Sequence, residues 1–235
     1  MSRAHRVLVV GAGGLGSPVL RLLAGGRVAH VTIVDDDLVD ESNLHRQTLY
    51  TEQDVGCSKI ERASASLREL APSISVNAVQ GRFVPATAME LLKDHDIVVE
   101  GADNLATKFL VTDAARLAGV PAVQAGAVRW AGWAFCALPD SACLRCLFED
   151  IPRDRVETCA EAGVVGPLVG VLGGLEAALV LRVLRGELPA GELWHYDALK
   201  GALRRTFVRR RSDCPLCTGK IQDLRTERYT AACAA

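Results

Sequence analysis

The chain has 235 residues, 49% of them apolar and 23% charged, and its 27 basic and 28 acidic side chains leave a net charge of −1. That length fits one large domain or two small ones with a core of ordinary size. The charge balance excludes nucleic-acid binding driven by bulk charge, and the short polar stretch Met1 to Arg6 has no signal-sequence pattern, so a cytoplasmic protein is expected.

Arg6 to Val10 reads as a buried strand that runs straight into Gly11-Ala12-Gly13-Gly14-Leu15-Gly16 and then a helix to about Ala24. His30 to Val34 reads as a second strand, ending in Asp35-Asp36-Asp37. Together these make a βαβ unit. A polar loop spans Leu38 to Gly56. Helical spacing covers Lys59 to Leu70 and is stopped by Pro72; Ile74 to Val79 alternates as a strand. Ile97 to Val99 is a short strand leading into Glu100-Gly101-Ala102-Asp103-Asn104. Leu105 to Ala118 reads as a helix with Gly119 as its stop, and Pro121 to Ala125 as another strand.

From Gly126 the pattern changes. Val128 to Ala137, with Trp130 and Trp133, reads as antiparallel strand material, and Phe148 to Gly163 as a long crossover loop. The apolar run Val164 to Leu184 has the length of a membrane span. Gly166, Pro167, Gly170, Gly173, Gly174, Glu176 and Arg182 interrupt it, so a buried helix over Gly166 to Arg185 is expected, and no membrane contact. Leu193 to Tyr196 and Leu203 to Arg209 are late strands. The fold expected is α/β, a Rossmann-like doubly wound sheet, parallel in its N-terminal half and mixed or antiparallel toward the C-terminus. One domain over residues 1–235 is expected, with a nucleotide-binding half at about 6–125, a second half at about 126–219 and a tail at 220–235.

Gly11-x-Gly13-x-x-Gly16 lies where a nucleotide fingerprint must, after a strand and before a helix. Its glycines let the backbone approach a phosphate, and the helix N-terminus faces that phosphate with positive partial charge. Asp35 closes the next strand, where a carboxylate binds ribose hydroxyls. This much does not distinguish NAD from ATP. The residues that follow do: Asp35-x-Asp37, then Ser42-Asn43-Leu44-His45-Arg46-Gln47, then Lys59, then Asp103-Asn104. A nicotinamide oxidoreductase has no need of an Asn-x-x-Arg-Gln segment and a lysine after its ribose-binding acid. A triphosphate needs cations, and Mg²⁺ needs a carboxylate.

Eight cysteines are many for a chain with no export pattern. Four form two C-x-x-C pairs, Cys143/Cys146 and Cys214/Cys217, the signature of a closed tetrahedral Zn²⁺ site with a structural role. Cys159 stands outside both pairs. Cys57, Cys136 and Cys233 read as core, incidental or tail residues. The five histidines, at 5, 30, 45, 95 and 195, share no ligand spacing. Arg204, Arg205, Arg209, Arg210 and Arg211 make a basic stretch, read as a solvated strand face or a landing surface for an acidic protein.

These motifs, in this order and together with Thr158-Cys159-Ala160-Glu161-Ala162-Gly163 and Gly166-Pro167, resemble the MoeB/ThiF/HesA family, bacterial relatives of ubiquitin-activating enzymes. The resemblance runs from about residue 6 to 219. It implies an ATP-dependent adenylyltransferase that activates the C-terminal carboxylate of a ubiquitin-like sulfur carrier, MoaD-like or ThiS-like, for molybdopterin or thiamine synthesis. It implies that Gly11, Gly13, Gly14 and Gly16 cradle the nucleotide. Asp35 would hold the ribose, and Asp37 and Asn104 would join the nucleotide site. Asn43, Arg46 and Lys59 would hold phosphates, Gln47 would brace their loop, and Asp103 would ligate Mg²⁺. Arg46, Lys59 and Asp103 are the expected catalytic residues, with Cys159 as a candidate thiol after adenylation. A homodimer and a separate sulfur-donor protein are also implied, since no rhodanese-like domain is present. Family members usually begin with a helical segment whose arginine reaches the partner's ATP site, and no match to it precedes Arg6. The other readings are a non-catalytic carrier-binding relative and a nicotinamide oxidoreductase.

Overall fold

The computed structural model describes residues 4–26, 28–151 and 162–230. Its centre is an eight-stranded sheet in the order β3-β2-β1-β4-β5-β6-β7-β8. The first five strands are β1 (His5–Val10), β2 (Val28–Asp35), β3 (Ser75–Gln80), β4 (Ile97–Glu100) and β5 (Ala122–Val128). They are mutually parallel where they pair. β6 (Ala131–Ala137), β7 (Glu192–Asp197) and β8 (Ala202–Phe207) then add antiparallel strands. The mixed α/β sheet is therefore the expected one. The strand order reverses between β1 and β4, and a crevice at the carboxyl ends of strands is where such sheets bind ligands.

Val7, Leu8, Val9 and Val10 are all buried because β1 is covered on both faces, which is why this strand is apolar without alternation. Val7 and Val9 face one apolar layer with α1 (Gly16–Ala24), α2 (Lys59–Leu70) and α6 (Gly166–Leu184). Leu8 and Val10 face the other, with α3 (Pro85–Leu92), α4 (Leu105–Ala118) and α5 (Leu144–Phe148). α3 was not anticipated from the sequence. The segment after residue 219 is more than a tail: Ile221 and Tyr229 are buried in this second layer, Tyr229 within the short α7 (Glu227–Thr230), and the Tyr229 hydroxyl donates to Asp113 of α4 at 2.8 Å.

Among the described residues, α6 is the one helix long and apolar enough to cross a membrane. Its Leu168, Val169, Leu172, Leu179 and Val180 are packed into the first core layer. α1 and α6 lie so close that a Cβ on Gly173 would sit 2.4 Å from the Pro18 ring.

Glu176 is the anomaly of α6. It is fully buried, and neither carboxyl oxygen has a hydrogen-bond partner among the described residues. Burial, and after it the charge of Glu100, push its pKa well above the ordinary 4.5. The folded protein therefore keeps this proton after the unfolded chain has lost it, and stability falls as pH rises from about 4.5 toward the folded pKa. Glu176→Leu is expected to stabilise the protein at pH 7 by about 1–3 kcal/mol. The gain should shrink as the pH is lowered toward the ordinary carboxyl pKa. Thermal denaturation across that range checks it, and a pH-independent difference would contradict it.

Candidate active site

The glycine loop follows directly from β1. Gly11 has φ +91°, and a Cβ on Gly16 would fall 2.0 Å from the Gly11 carbonyl oxygen, so neither position accepts a side chain. The loop is tied down on two sides. The Tyr50 hydroxyl donates to Ala12 O at 2.8 Å, and Asp35 accepts from Ala12 N at 2.7 Å. The other Asp35 oxygen accepts from Asp37 N at 2.8 Å. Burial raises the Asp35 pKa, while these two amides and Lys59 oppose the rise. Each carboxylate oxygen keeps a second lone pair, so Asp35 has capacity left for hydroxyl donors.

The polar segment after β2 folds back over the loop. Arg46 and Gln47 lie against it, the Arg46 side chain 3.6 Å and Gln47 Nε2 3.7 Å from where Cβ atoms on Gly14 and Gly13 would stand. The Arg46 guanidinium donates to Asn43 Oδ1, which aims it across Gly14. Gln47 is buried and its Oε1 has no partner among the described residues, an acceptor left open beside the loop. Lys59 opens α2. Only 4% of it is exposed, and its ammonium is held by Asp37 at 2.8 Å. Two of its three N–H groups stay available. Asp37 thus serves as the anchor of Lys59.

Asp103 lies in the turn after β4, the strand beside β1. It is exposed and has no hydrogen-bond or ion-pair partner among the described residues. Asn104 is the N-cap of α4, its side-chain oxygen accepting from Thr107 N at 2.8 Å. The glycine loop, Asp35, Asn43, Arg46, Gln47 and Lys59 are thus brought together by hydrogen bonds, an ion pair and close approaches, and Asp103 stands on the neighbouring turn. Tyr50 was missed in the sequence; nothing in its spacing marks a side chain that reaches 38 residues back.

The two C-x-x-C pairs converge. Cys143, Cys146, Cys214 and Cys217 place their sulfurs within 4.8 Å of one another. The distances are 3.9 Å for Cys143–Cys146, 3.7 Å for Cys143–Cys214, and 3.5 Å for both Cys146–Cys217 and Cys143–Cys217. Four sulfurs at about 2.3 Å around a tetrahedral ion stand about 3.8 Å apart, while a disulfide needs about 2.05 Å. The Arg211 amide donates to Cys146 Sγ at 3.5 Å and the Arg116 guanidinium to Cys217 Sγ at 3.6 Å. Such donors stabilise thiolates. Cys136 has no such company; burial pushes its thiol up to about 12, which keeps it protonated. Cys159 and Cys233 lie outside the described residues.

A family model described as the ThiF family matches residues 2–216. The chain belongs to the ThiF family. Among curated relatives, this ThiF-family chain is 42% identical over 236 residues to the sulfur carrier protein adenylyltransferase of Thermus thermophilus, covering 97% of the chain and 87% of that protein. It is 38% identical over 235 residues to the SAMP-activating enzyme E1 of Haloferax volcanii, covering 98% and 87%. It is also 38% identical to the adenylyltransferase and sulfurtransferase MOCS3 of Dictyostelium discoideum, of which it spans 55%. Among solved structures, E. coli MccB with ATP superposes with a TM-score of 0.79 over 92% of this chain and 67% of that one, at 23% identity, a likeness of fold.

Proposed function

We propose that this chain transfers AMP from ATP to the C-terminal carboxylate of a ubiquitin-like sulfur-carrier protein. One observation carries the reading: the glycine loop is enclosed by an acid at the ribose position and by two anchored cations, Arg46 on Asn43 and Lys59 on Asp37. A nicotinamide site would leave those cations without a task. The names of the two relatives that match along nearly their whole length supply the substrate class.

The attacking carboxylate has an ordinary pKa of about 3.5 and is already ionised at neutral pH. No general base is required. One carboxylate oxygen bonds to the α-phosphorus, the bond from that phosphorus to the β-bridging oxygen breaks, and pyrophosphate leaves with its electron pair. The barrier is electrostatic, one anion approaching another. Arg46 and Lys59 reduce that repulsion and neutralise the leaving group, while the N-terminus of α1 presents loop amides to phosphate. Asp35 holds the ribose, and the Asn43 and Gln47 side chains keep the Arg46 segment in register over the loop.

Asp103 would hold Mg²⁺, which when bound would add to the neutralisation of the phosphates. An exposed carboxylate without a protein partner, on the turn beside the glycine loop, fits that use. The four cysteines would hold a structural Zn²⁺, tying α5 to the segment after β8. The carrier is MoaD-like or ThiS-like and the sulfur comes from a separate donor protein; a homodimer completes the proposal. Adenylation itself uses no thiol, so any part played by Cys159 follows it. Carrier-dependent exchange of pyrophosphate into ATP tests the reading.

A further inference from the structure

Glu100 and Lys108 are both buried, at 0% and 5% exposure, and no substrate-facing surface includes them. Glu100 ends β4 beside Val10 of β1 and Gln124 of β5, so its backbone stands next to the start of the glycine loop. Lys108, in α4, donates to Glu100 Oε2 at 2.9 Å, to Oε1 at 3.3 Å and to Ala125 O at 2.5 Å, which occupies its donors. Glu100 Oε1 also accepts from the backbone N–H of Ala102 at 2.7 Å. Gln124 closes the group, donating to Lys108 O at 2.9 Å.

Stability alone does not account for such a pair. A buried ion pair is often no better for stability than apolar side chains of the same volume. What a carboxylate adds here is an acceptor for the Ala102 amide. That amide is one residue before Asp103, and it stands 3.0 Å from where a Cβ on Gly11 would be, so the Asp103 turn and the glycine loop abut.

We infer that Glu100, held in place by Lys108, is a positioning residue for adenylation: its bond to the Ala102 amide fixes the Asp103 turn against the glycine loop. The inference rests on the function proposed above. Glu100 touches neither nucleotide nor carrier. It sets the backbone from which the Asp103 carboxylate projects, and a displacement of about 1 Å in a reacting group costs up to about a hundredfold in rate.

Two double variants separate the acceptor from the charge. Glu100→Gln with Lys108→Met removes both charges and keeps an acceptor oxygen for Ala102. Glu100→Leu with Lys108→Met removes the acceptor as well. The expected result is faster amide hydrogen exchange over residues 101–104 in the Leu/Met protein, without nucleotide or Mg²⁺ present, and protection close to that of the unmodified chain in the Gln/Met protein. In pyrophosphate exchange, the Leu/Met protein should need roughly tenfold more Mg²⁺ and lose at least about tenfold in kcat, with an unchanged KM for the carrier. Glu100→Asp, which keeps the charge for Lys108 but withdraws the oxygen from Ala102, should shift the same quantities and guards against a Leu/Met protein that does not fold. Wild-type hydrogen exchange and Mg²⁺ response in the Leu/Met protein, or in Glu100→Asp if Leu/Met does not fold, would overturn the inference. So would equal impairment of Leu/Met and Gln/Met. An unmodified chain with no carrier-dependent exchange would instead remove the proposed function, while the hydrogen-exchange comparison would still report on the Ala102 contact.

Discussion

Asp103→Ala is expected to lower carrier-dependent ATP–pyrophosphate exchange by about a hundredfold or more, with the circular dichroism spectrum unchanged. Asp103 is exposed and bonded to no described residue, so its removal leaves no buried group unpaired. The loss falls on the chemistry, where one preorganised charge contact is worth on the order of 3 kcal/mol, roughly a hundredfold. Arg46→Ala should cost a similar factor: it removes the cation aimed over Gly14 and leaves Asn43 to solvent. Lys59→Ala should match it in rate but also lose some stability, because Lys59 is buried and paired with Asp37. Near-normal exchange in Asp103→Ala would take that residue out of the mechanism.

Loss of the cysteine cluster should have the largest effect on stability. Structural zinc binds with free energies of roughly 10 kcal/mol, comparable with the total stability of a domain. Cys143 and Cys214 are buried within the second apolar layer with Leu144, Leu216 and Ile221, so the site is part of that core. Purified protein is expected to hold one zinc per chain. Cys143→Ser and Cys217→Ser should lose the metal and lower the melting temperature sharply, whereas Cys57→Ser, a cysteine outside the cluster, should keep full zinc content. Full zinc in Cys143→Ser, or none in the unmodified chain under reducing conditions, would contradict the assignment.

In the parallel half of the sheet β1, β2, β4 and β5 were legible as largely buried apolar runs that lead into polar or glycine-rich turns, whereas β3, mostly exposed at the sheet edge, was legible by its alternation. β1 into Gly11 and β2 into Asp35 are the plain cases. α3 was not legible: only Ala88 and Leu92 are buried in it, too few to make a periodic stripe. The strand expected over Leu203 to Arg209 begins one residue earlier, at Ala202, and ends two residues sooner. The strand stops at Phe207 because Val208 N turns to the Gly191 carbonyl at 2.8 Å. The docking of Ile221 and Tyr229 was missed for a similar reason, since a few isolated apolar residues carry no period. At the site, motif residues close in sequence were legible, as were the paired cysteines. Contacts made across the fold were not. Tyr50 on Ala12, and Glu100 with Lys108 behind Ala102, depend on which strand ends the topology places side by side. The turn assignment of Asn104 as a cap was within reach, because an Asn before a helical run is an N-cap signal.

The most direct test of the central claim is exchange of labelled pyrophosphate into ATP, with Mg²⁺ and a ubiquitin-like sulfur carrier supplied either with its free C-terminal carboxylate or amidated at that end. The carboxylate is the proposed nucleophile, so label should enter ATP with the free carrier and stay at background with the amidated one. Exchange that is equal with both carriers, or absent with every carrier that binds, would contradict the account.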